Sequence, residues 1–348
     1  MNRIQPIDGL RAFAVLGVIW AHAWMFFGNQ AFSVGGVNIN QLLSFGGIGV
    51  DLFFVISGFC MYLMHSKNAR YFNLSVYGDF IKKRWLRIAP AFYFVVLFES
   101  LYILTTSGAF PTKSFIYHLL FINTFNDQNV LSPPFWSLAT EWHFYIILPL
   151  LFIADPTAKW LTGRVSILMF LCMLLRLWLY HGYDISSGIT VPGGDRIWYR
   201  FVEFGFGILA ARFYIDKRTL PWILSGNKGF ILSFLLALSG RLCMTAAFFS
   251  HFGKMAFAVR AMGEPVLTLG FAFMILNLVN TESIFKRFIS MPVFLFFGRI
   301  SYSMYLWHWM IVVPVCYFLI SHLGRSNMSQ ELAFLITVGF CSVVAMVS

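Results

Sequence analysis

The stretch Asp-Gly-Leu-Arg-Ala-Phe-Ala-Val-Leu-Gly-Val-Ile-Trp-Ala-His, residues 8–22, is apolar enough to enter a bilayer, yet it carries an arginine near one end and a histidine near the other. Both side chains are costly to hold in hydrocarbon, and ionisable groups within a spanning helix mark a bundle interior or a wet path. Arg11 and His22 stand eleven positions apart. That is about three whole helical turns and about 16 Å of rise, so the two share one face at different depths.

Composition supports the same class. Of 348 residues, 59% are hydrophobic, 19% aromatic and only 11% charged, with mean hydropathy +0.74. A soluble domain carries about a quarter of its residues as charges, so the chain reads as an integral membrane protein. The first apolar run continues into Met25-Phe26-Phe27-Gly28 instead of a small-residue cleavage site, which marks it as a retained span and not a removed signal peptide. Cys60, Cys172, Cys243, Cys316 and Cys341 are scattered through apolar runs without paired spacing. They read as packing residues, with no disulfide or metal framework.

At the ~20 residues a bilayer requires, the chain offers about ten spans, at 8–27, 44–65, 88–106, 136–153, 165–181, 197–211, 229–249, 262–279, 292–319 and 332–348. The expected fold is all-α, a polytopic bundle of about ten transmembrane helices forming a single domain over 1–348. The apolar piece from Phe115 to Thr124 is too short to cross and is expected in the interface or re-entering. Lys and Arg accumulate on the cytoplasmic side of membrane proteins. With the N-terminus inside, the inner segments collect Arg3, Lys67 and Arg70, Lys82 to Arg87, Lys159 and Arg164, Arg212 to Lys228, and Lys286 and Arg287. The outer margins keep only Lys113, Arg196, Lys254, Arg260 and Arg325. Topology therefore accounts for the net charge of +11, and no nucleic-acid partner is implied.

Depth then becomes a statement about chemistry. Span one rises with Arg11 in its inner third and His22 in its outer third. Span two descends with Asp51 in its outer third, span four with Glu141 and His143 at similar depth, and span nine brings His308 up towards them. A carboxylate beside an imidazole orients the ring and favours its protonated form, so Asp51 or Glu141 is expected to support His22 as a base. Lys82-Lys83-Arg84-Trp85-Leu86-Arg87 stands at the base of span three. Arg84 and Arg87 share a helix face there, a forked grip for phosphates.

Five strings occur in order: Asp8-Gly9-Leu10-Arg11 to His22, Gly49-Val50-Asp51-Leu52-Phe53-Phe54 to Phe59, Arg84-x-x-Arg87 leading to Pro90, Trp136-Ser137-Leu138 followed by Glu141 and Phe144-Tyr145, and Ile300-Ser301-Tyr302-Ser303-Met304-Tyr305-Leu306-Trp307-His308. Together, across most of the chain, they resemble the membrane acyltransferase-3 family. The resemblance implies a ten-span bacterial inner-membrane enzyme that takes an acyl group, most often acetyl, from a cytoplasmic coenzyme A thioester. The group goes to a hydroxyl of an extracytoplasmic carbohydrate or glycoconjugate. Arg11 and His22 match the family's paired arginine and histidine, and Arg84 with Arg87 matches its cytoplasmic arginine pair. Many members add a C-terminal esterase-like domain; this chain ends at Ser348 after its last span and resembles the stand-alone form.

The expected mechanism places the coenzyme's phosphates on Arg84, Arg87, Arg11 and Lys83, and makes His22 the base for direct attack by the acceptor hydroxyl. An acyl-histidine intermediate is the other variant. No metal is called for. Each residue also has a plainer reading: Lys82 to Arg87 as a topology signal or a lipid-headgroup contact, Asp51 as a tie between helices, Arg200 with Glu203 as an internal ion pair. His308 and Tyr302 read as interfacial packing, and Ser57 as a small residue at a close helix contact. The competing class is a transporter or flippase for a lipid-linked or acylated saccharide. Internal repeats would favour it, and the two halves of the chain show none. The segments 28–43, 107–135 and 182–196, with Trp136, Trp142 and Trp198, are expected to shape the acceptor pocket.

Overall fold

In hydrocarbon a backbone has only itself to bond to, so apolar runs of this length become helices. The computed structural model describes residues 3–27, 33–34, 37–38, 44–66, 74–125, 131–152, 160–182, 194–245 and 250–347. The helices are α1 (Gln5–Phe26), α2 (Gly49–Ser66), α3 (Leu74–Ser107), α4 (Thr112–Leu119), α5 (Trp136–Leu150) and α6 (Leu161–His181). They continue with α7 (Ile197–Ile215), α8 (Gly226–Cys243), α9 (Ala256–Asn280), α10 (Ile284–Ile289), α11 (Pro292–Leu323) and α12 (Asn327–Val347). Two-residue strands β1 (Ser33–Val34) and β2 (Val37–Asn38) pair antiparallel after α1. Lys67, Arg70 and Lys159, which entered the orientation argument, lie outside the described residues, as do 183–193 and all of 28–43 except 33–34 and 37–38.

Seven helices, α1, α2, α3, α6, α9, α11 and α12, are long and apolar enough to cross a membrane among the described residues. The reading of about ten spans thus splits. The helices α5, α7 and α8 are present, but α5 has only 15 residues against the ~20 that a span needs. The other two are diluted by charge: Arg200, Glu203 and Arg212 in α7, Lys228 and Arg241 in α8.

The most extensive helix pairs are α8 with α9, α1 with α11, α2 with α7, and α11 with α12. Burial ranks the spans: 72% of the most apolar window of α9 is enclosed, against 22% for α6 and α12. The outer helices accordingly turn Phe94, Phe98, Tyr102, Phe170, Trp178, Leu335 and Phe340 outward, while Asp8, Asp51, Arg176, Glu203, Glu264 and His308 are buried. Apolar side chains face out and charges face in, the arrangement of a polytopic membrane protein with its ionisable groups in the bundle interior.

Helix α3 begins at Leu74, fourteen residues before the limit read from hydropathy, and its 34 residues span about 51 Å. Lys82 to Arg87 are therefore held on a rigid helix and not in a loop. The short apolar piece after α3 folds back into the bundle: His118 and Phe121 are buried, and the Tyr93 hydroxyl donates to the Leu119 carbonyl at 2.7 Å.

Candidate active site

Two glycines let backbones touch where α1 meets the end of α10 and crosses α11. A Cβ on Gly9 would run into the Ile289 carbonyl, and one on Gly298 into the backbone of Asp8. The Asp8 carboxylate is buried at this crossing, held by Arg3 at 2.5 Å and by Arg11 at 3.1 Å. Arg11 is thereby aimed along α1 towards α2, where its other nitrogen lies 3.6 Å from Cys60 Sγ.

A cavity of about 150 Å³ opens beside this crossing, bounded by α1, α2, α3, α5 and α11. Its polar lining comprises Arg3, Arg11, Ser57, Arg87, Ser137, Glu141, Tyr145, Arg299, Ser301, Tyr302 and Tyr305. Arg3, Arg87 and Arg299 are solvent-exposed as well as lining, so they stand at its mouth. Among the described residues, neither Arg87 nor Arg299 has a side-chain hydrogen bond or an ion pair. Two guanidiniums are thus free to take an anion. Deeper in, Glu141 Oε1 accepts from Ser57 Oγ at 2.7 Å and from the Tyr145 hydroxyl at 2.5 Å. Among the described residues Oε2 has no partner. The Tyr302 hydroxyl donates to the Ile88 carbonyl at 2.7 Å and the Tyr305 hydroxyl to the Pro134 carbonyl at 2.8 Å, so both rings are fixed in the wall.

His22 does not line this cavity; it stands behind Tyr305. Its Nδ1 lies 2.9 Å from His308 Nε2, and His308 Nδ1 lies 2.5 Å from the Tyr305 carbonyl oxygen. The edge of Trp309 packs against the His22 ring, centroids 5.1 Å apart. The partner that the structure gives His22 is an imidazole, where the sequence suggested Asp51 or Glu141.

Asp51 belongs to a different constellation. The Arg200 guanidinium lies 3.0 Å from Asp51, 2.9 Å from Glu203 and 3.1 Å from Glu264, and Arg176 pairs with Glu264. The Arg200 guanidinium also covers the Trp136 ring at 5.1 Å, and that of Arg176 the Tyr199 ring at 4.4 Å. The rotation of α2 explains the displacement. Gly49 abuts the Ala14 carbonyl of α1, and two residues on a 3.6-residue turn is roughly 200° round the helix, so Asp51 faces away from α1 and into α7 and α9.

Of the residues singled out in the sequence, Arg11, Arg87 and Glu141 converge on the cavity. Arg84 contacts the sulfurs of Met61 and Met64 at 3.6 and 3.8 Å, and Met61 lines the cavity. Lys83 is exposed and outside the lining. Arg200 and Glu203 form the internal pair expected of them. Ser57 hydrogen-bonds Glu141, and the tight helix contact is made by its neighbour Gly58, whose Cβ would meet the Phe204 carbonyl. Arg299 was passed over in the sequence, Tyr145 and Tyr305 entered only as letters of the ordered strings without a role, and His308 was left as packing although its depth matched His22. Arg176 and Glu264 were also missed, though a lone charge in an apolar run is a signal in itself.

A family model described as an acyltransferase domain matches residues 4–348. The chain is 28% identical over 335 residues to the O-acetyltransferase OatA of Staphylococcus aureus, covering 90% of this chain and 51% of that protein. It is 28% identical over 333 residues to the putative peptidoglycan O-acetyltransferase YrhL of Bacillus subtilis, covering 89% and 49%. It is 27% identical over 335 residues to the peptidoglycan O-acetyltransferase OatA of Listeria monocytogenes, covering 89% and 49%. The chain spans about half the length of these curated relatives. No solved structure matches.

Proposed function

The chain belongs to the acyltransferase family over residues 4–348, and on that premise we propose that it moves an acetyl group from cytoplasmic acetyl-coenzyme A to a hydroxyl of an extracytoplasmic cell-wall carbohydrate. The observation that carries the reading is the cavity with two arginines at its mouth, Arg87 and Arg299, that have no ion pair among the described residues. Phosphates are the natural partners of such planar forked cations. The pyrophosphate and ribose phosphate of the donor bind Arg87 and Arg299, with Arg84 and Lys83 along the same helix. Arg11 and Glu141 line the path of the pantetheine arm, and the free Glu141 Oε2 accepts from one of its amides.

Tyr305 forms the far wall of the cavity, and the thioester end of the donor passes its edge to reach His22. The acceptor hydroxyl gives its proton to His22 as its oxygen attacks the thioester carbonyl carbon. The carbon–sulfur bond breaks, and the leaving thiolate takes the same proton back from His22 to depart as coenzyme A thiol. No proton is gained or lost overall. Asp51, held by Arg200, supports the site through the helix packing. The N-terminus lies in the cytoplasm and the cavity opens to that side of the bacterial inner membrane, in line with the basic residues of α3 and of the α10 region. The names of the relatives point to peptidoglycan as the acceptor class.

The test compares the native host with the gene intact, deleted, and restored carrying His22→Ala. Proton NMR of the cell-wall and surface glycans reads O-acetyl groups, and immunoblotting confirms normal membrane levels of the variant. Loss of one O-acetyl signal in both the deletion and the variant is the expected result. Glycans that keep their acylation but fall in amount or length would overturn it in favour of a saccharide transporter.

A further inference from the structure

A histidine acts as a base through one nitrogen, and the other must hold the hydrogen. His308 decides which is which. Its Nδ1 lies 2.5 Å from the Tyr305 carbonyl oxygen. A carbonyl oxygen only accepts, so this Nδ1 carries a hydrogen. In the neutral ring the opposite nitrogen, Nε2, is then bare and only accepts. His22 Nδ1, 2.9 Å away, must be the donor, which leaves His22 Nε2 bare.

The ring geometry agrees. The two planes are within 11° of parallel, with centroids 5.0 Å apart. Parallel rings stacked face to face keep about 3.5 Å between atoms, whereas these nitrogens approach to 2.9 Å. The rings therefore meet edge to edge, as an N–H···N bond requires. His308 is fully buried, and Tyr305 is anchored by its hydroxyl on Ser137 and Pro134, so the carbonyl that sets His308 is itself fixed.

We propose that His308 is a positioning residue that locks His22 in the Nδ1–H tautomer and presents Nε2 as the proton acceptor. This rests on the reading of His22 as the base. His308 ends the chain and does not relay a proton, since the Tyr305 carbonyl accepts a hydrogen bond but cannot take the hydrogen. When His22 Nε2 receives the acceptor's proton, the positive charge is shared across the N–H···N bond. It is discharged when that proton passes to the thiolate.

The full chain, labelled with ¹⁵N-histidine and reconstituted in phospholipid, is examined by solid-state NMR, with the His22 signals identified by their loss in His22→Ala. The expected result is a protonated Nδ1 and a bare Nε2 on His22, retained in His308→Gln, whose side-chain oxygen still accepts, and averaged between tautomers in His308→Leu. A His22 ring with its hydrogen on Nε2 in the unmodified protein would overturn the lock. Acetyl transfer from radiolabelled acetyl-coenzyme A to host glycan is followed in parallel. His308→Leu is expected to lower kcat about a hundredfold at unchanged donor KM, with His308→Gln restoring most of it. Equal loss in both variants, or none, would overturn the proposal. If His22→Ala itself keeps transferring, the base reading fails; if it is inactive and the tautomer is the reverse, only the lock fails.

Discussion

Two groups of arginines in this bundle are treated in opposite ways. Arg200 is surrounded by three carboxylates, Asp51, Glu203 and Glu264, and Arg176 is paired with the last of them. Arg87 and Arg299 line a cavity and have no anion within reach among the described residues. A buried cation that already has its anions is committed to the fold; one left facing an open cavity is available to a ligand. The two groups should therefore fail differently when cut.

The largest effect is expected at the committed group. Arg200→Met leaves three buried carboxylates around an apolar side chain, and breaking a buried pair in this way costs about 3–5 kcal/mol. The thermal midpoint in detergent and the level in the membrane should both fall, while donor KM in the surviving protein stays unchanged. Arg200→Lys should recover part of the loss, since a single nitrogen, Nη1, meets all three carboxylates and an ammonium carries three donors, while the guanidinium's cover of the Trp136 ring is lost. A variant as stable as the parent would dissolve the contrast.

Next come Arg87→Ala and Arg299→Ala. Each removes one of the charge-assisted contacts proposed to the donor, worth about 1.5–3 kcal/mol, so donor KM should rise about ten- to hundredfold in each, with the thermal midpoint unmoved. Titration with acetyl-coenzyme A and a melting curve on the same preparation check both halves. If either variant melts early, that arginine is part of the fold after all.

Why the sequence showed some of this and hid the rest is a matter of which quantity it encodes. Hydropathy encodes depth, so an all-helical membrane bundle with Arg11 low and His22 high on α1 was legible. The i,i+3 spacing encodes a neighbour on the same helix, so Arg200 and Glu203 were legible as a pair. Partners on different helices depend on how each helix is rotated about its axis, at roughly 100° per residue, and depth alone does not carry that angle. Asp51 and His308 both lay at the depth of His22; the contact of Gly49 with α1 turned Asp51 away, and His308 became the partner. Length was also misread. Hydropathy began span three at 88, whereas the helix runs from Leu74, because amphipathic turns outside the hydrocarbon are helical without being apolar.

Gly298→Ala tests the hinge between the two regimes. Its Cβ would meet the backbone of Asp8, which has no flexible end to move aside, so α11 must shift from α1. Overpacking of this kind costs about 1–3 kcal/mol, and because Arg299 is the next residue and Arg11 is fixed through Asp8, donor KM should rise with the loss of stability. This is the one substitution expected to move both readouts together.

The smallest effect belongs to Lys83→Ala. Lys83 lies one turn before Arg87 on the same face of α3, about 6 Å further along the axis, but it is exposed and outside the cavity lining. A phosphate held by Arg87 feels it only as a solvent-screened charge, and at 0.15 M salt such an attraction decays over about 8 Å. Donor KM should rise less than about threefold at low salt, and the difference should vanish at 0.5 M salt, where the Debye length falls to roughly 4 Å. The effect of Arg87→Ala, which on this proposal removes a direct forked contact, should persist there. If Lys83→Ala instead matches Arg87→Ala and resists salt, the donor's phosphates lie a turn further out than the cavity mouth. The boundary between committed and available charge would then have to be redrawn along α3.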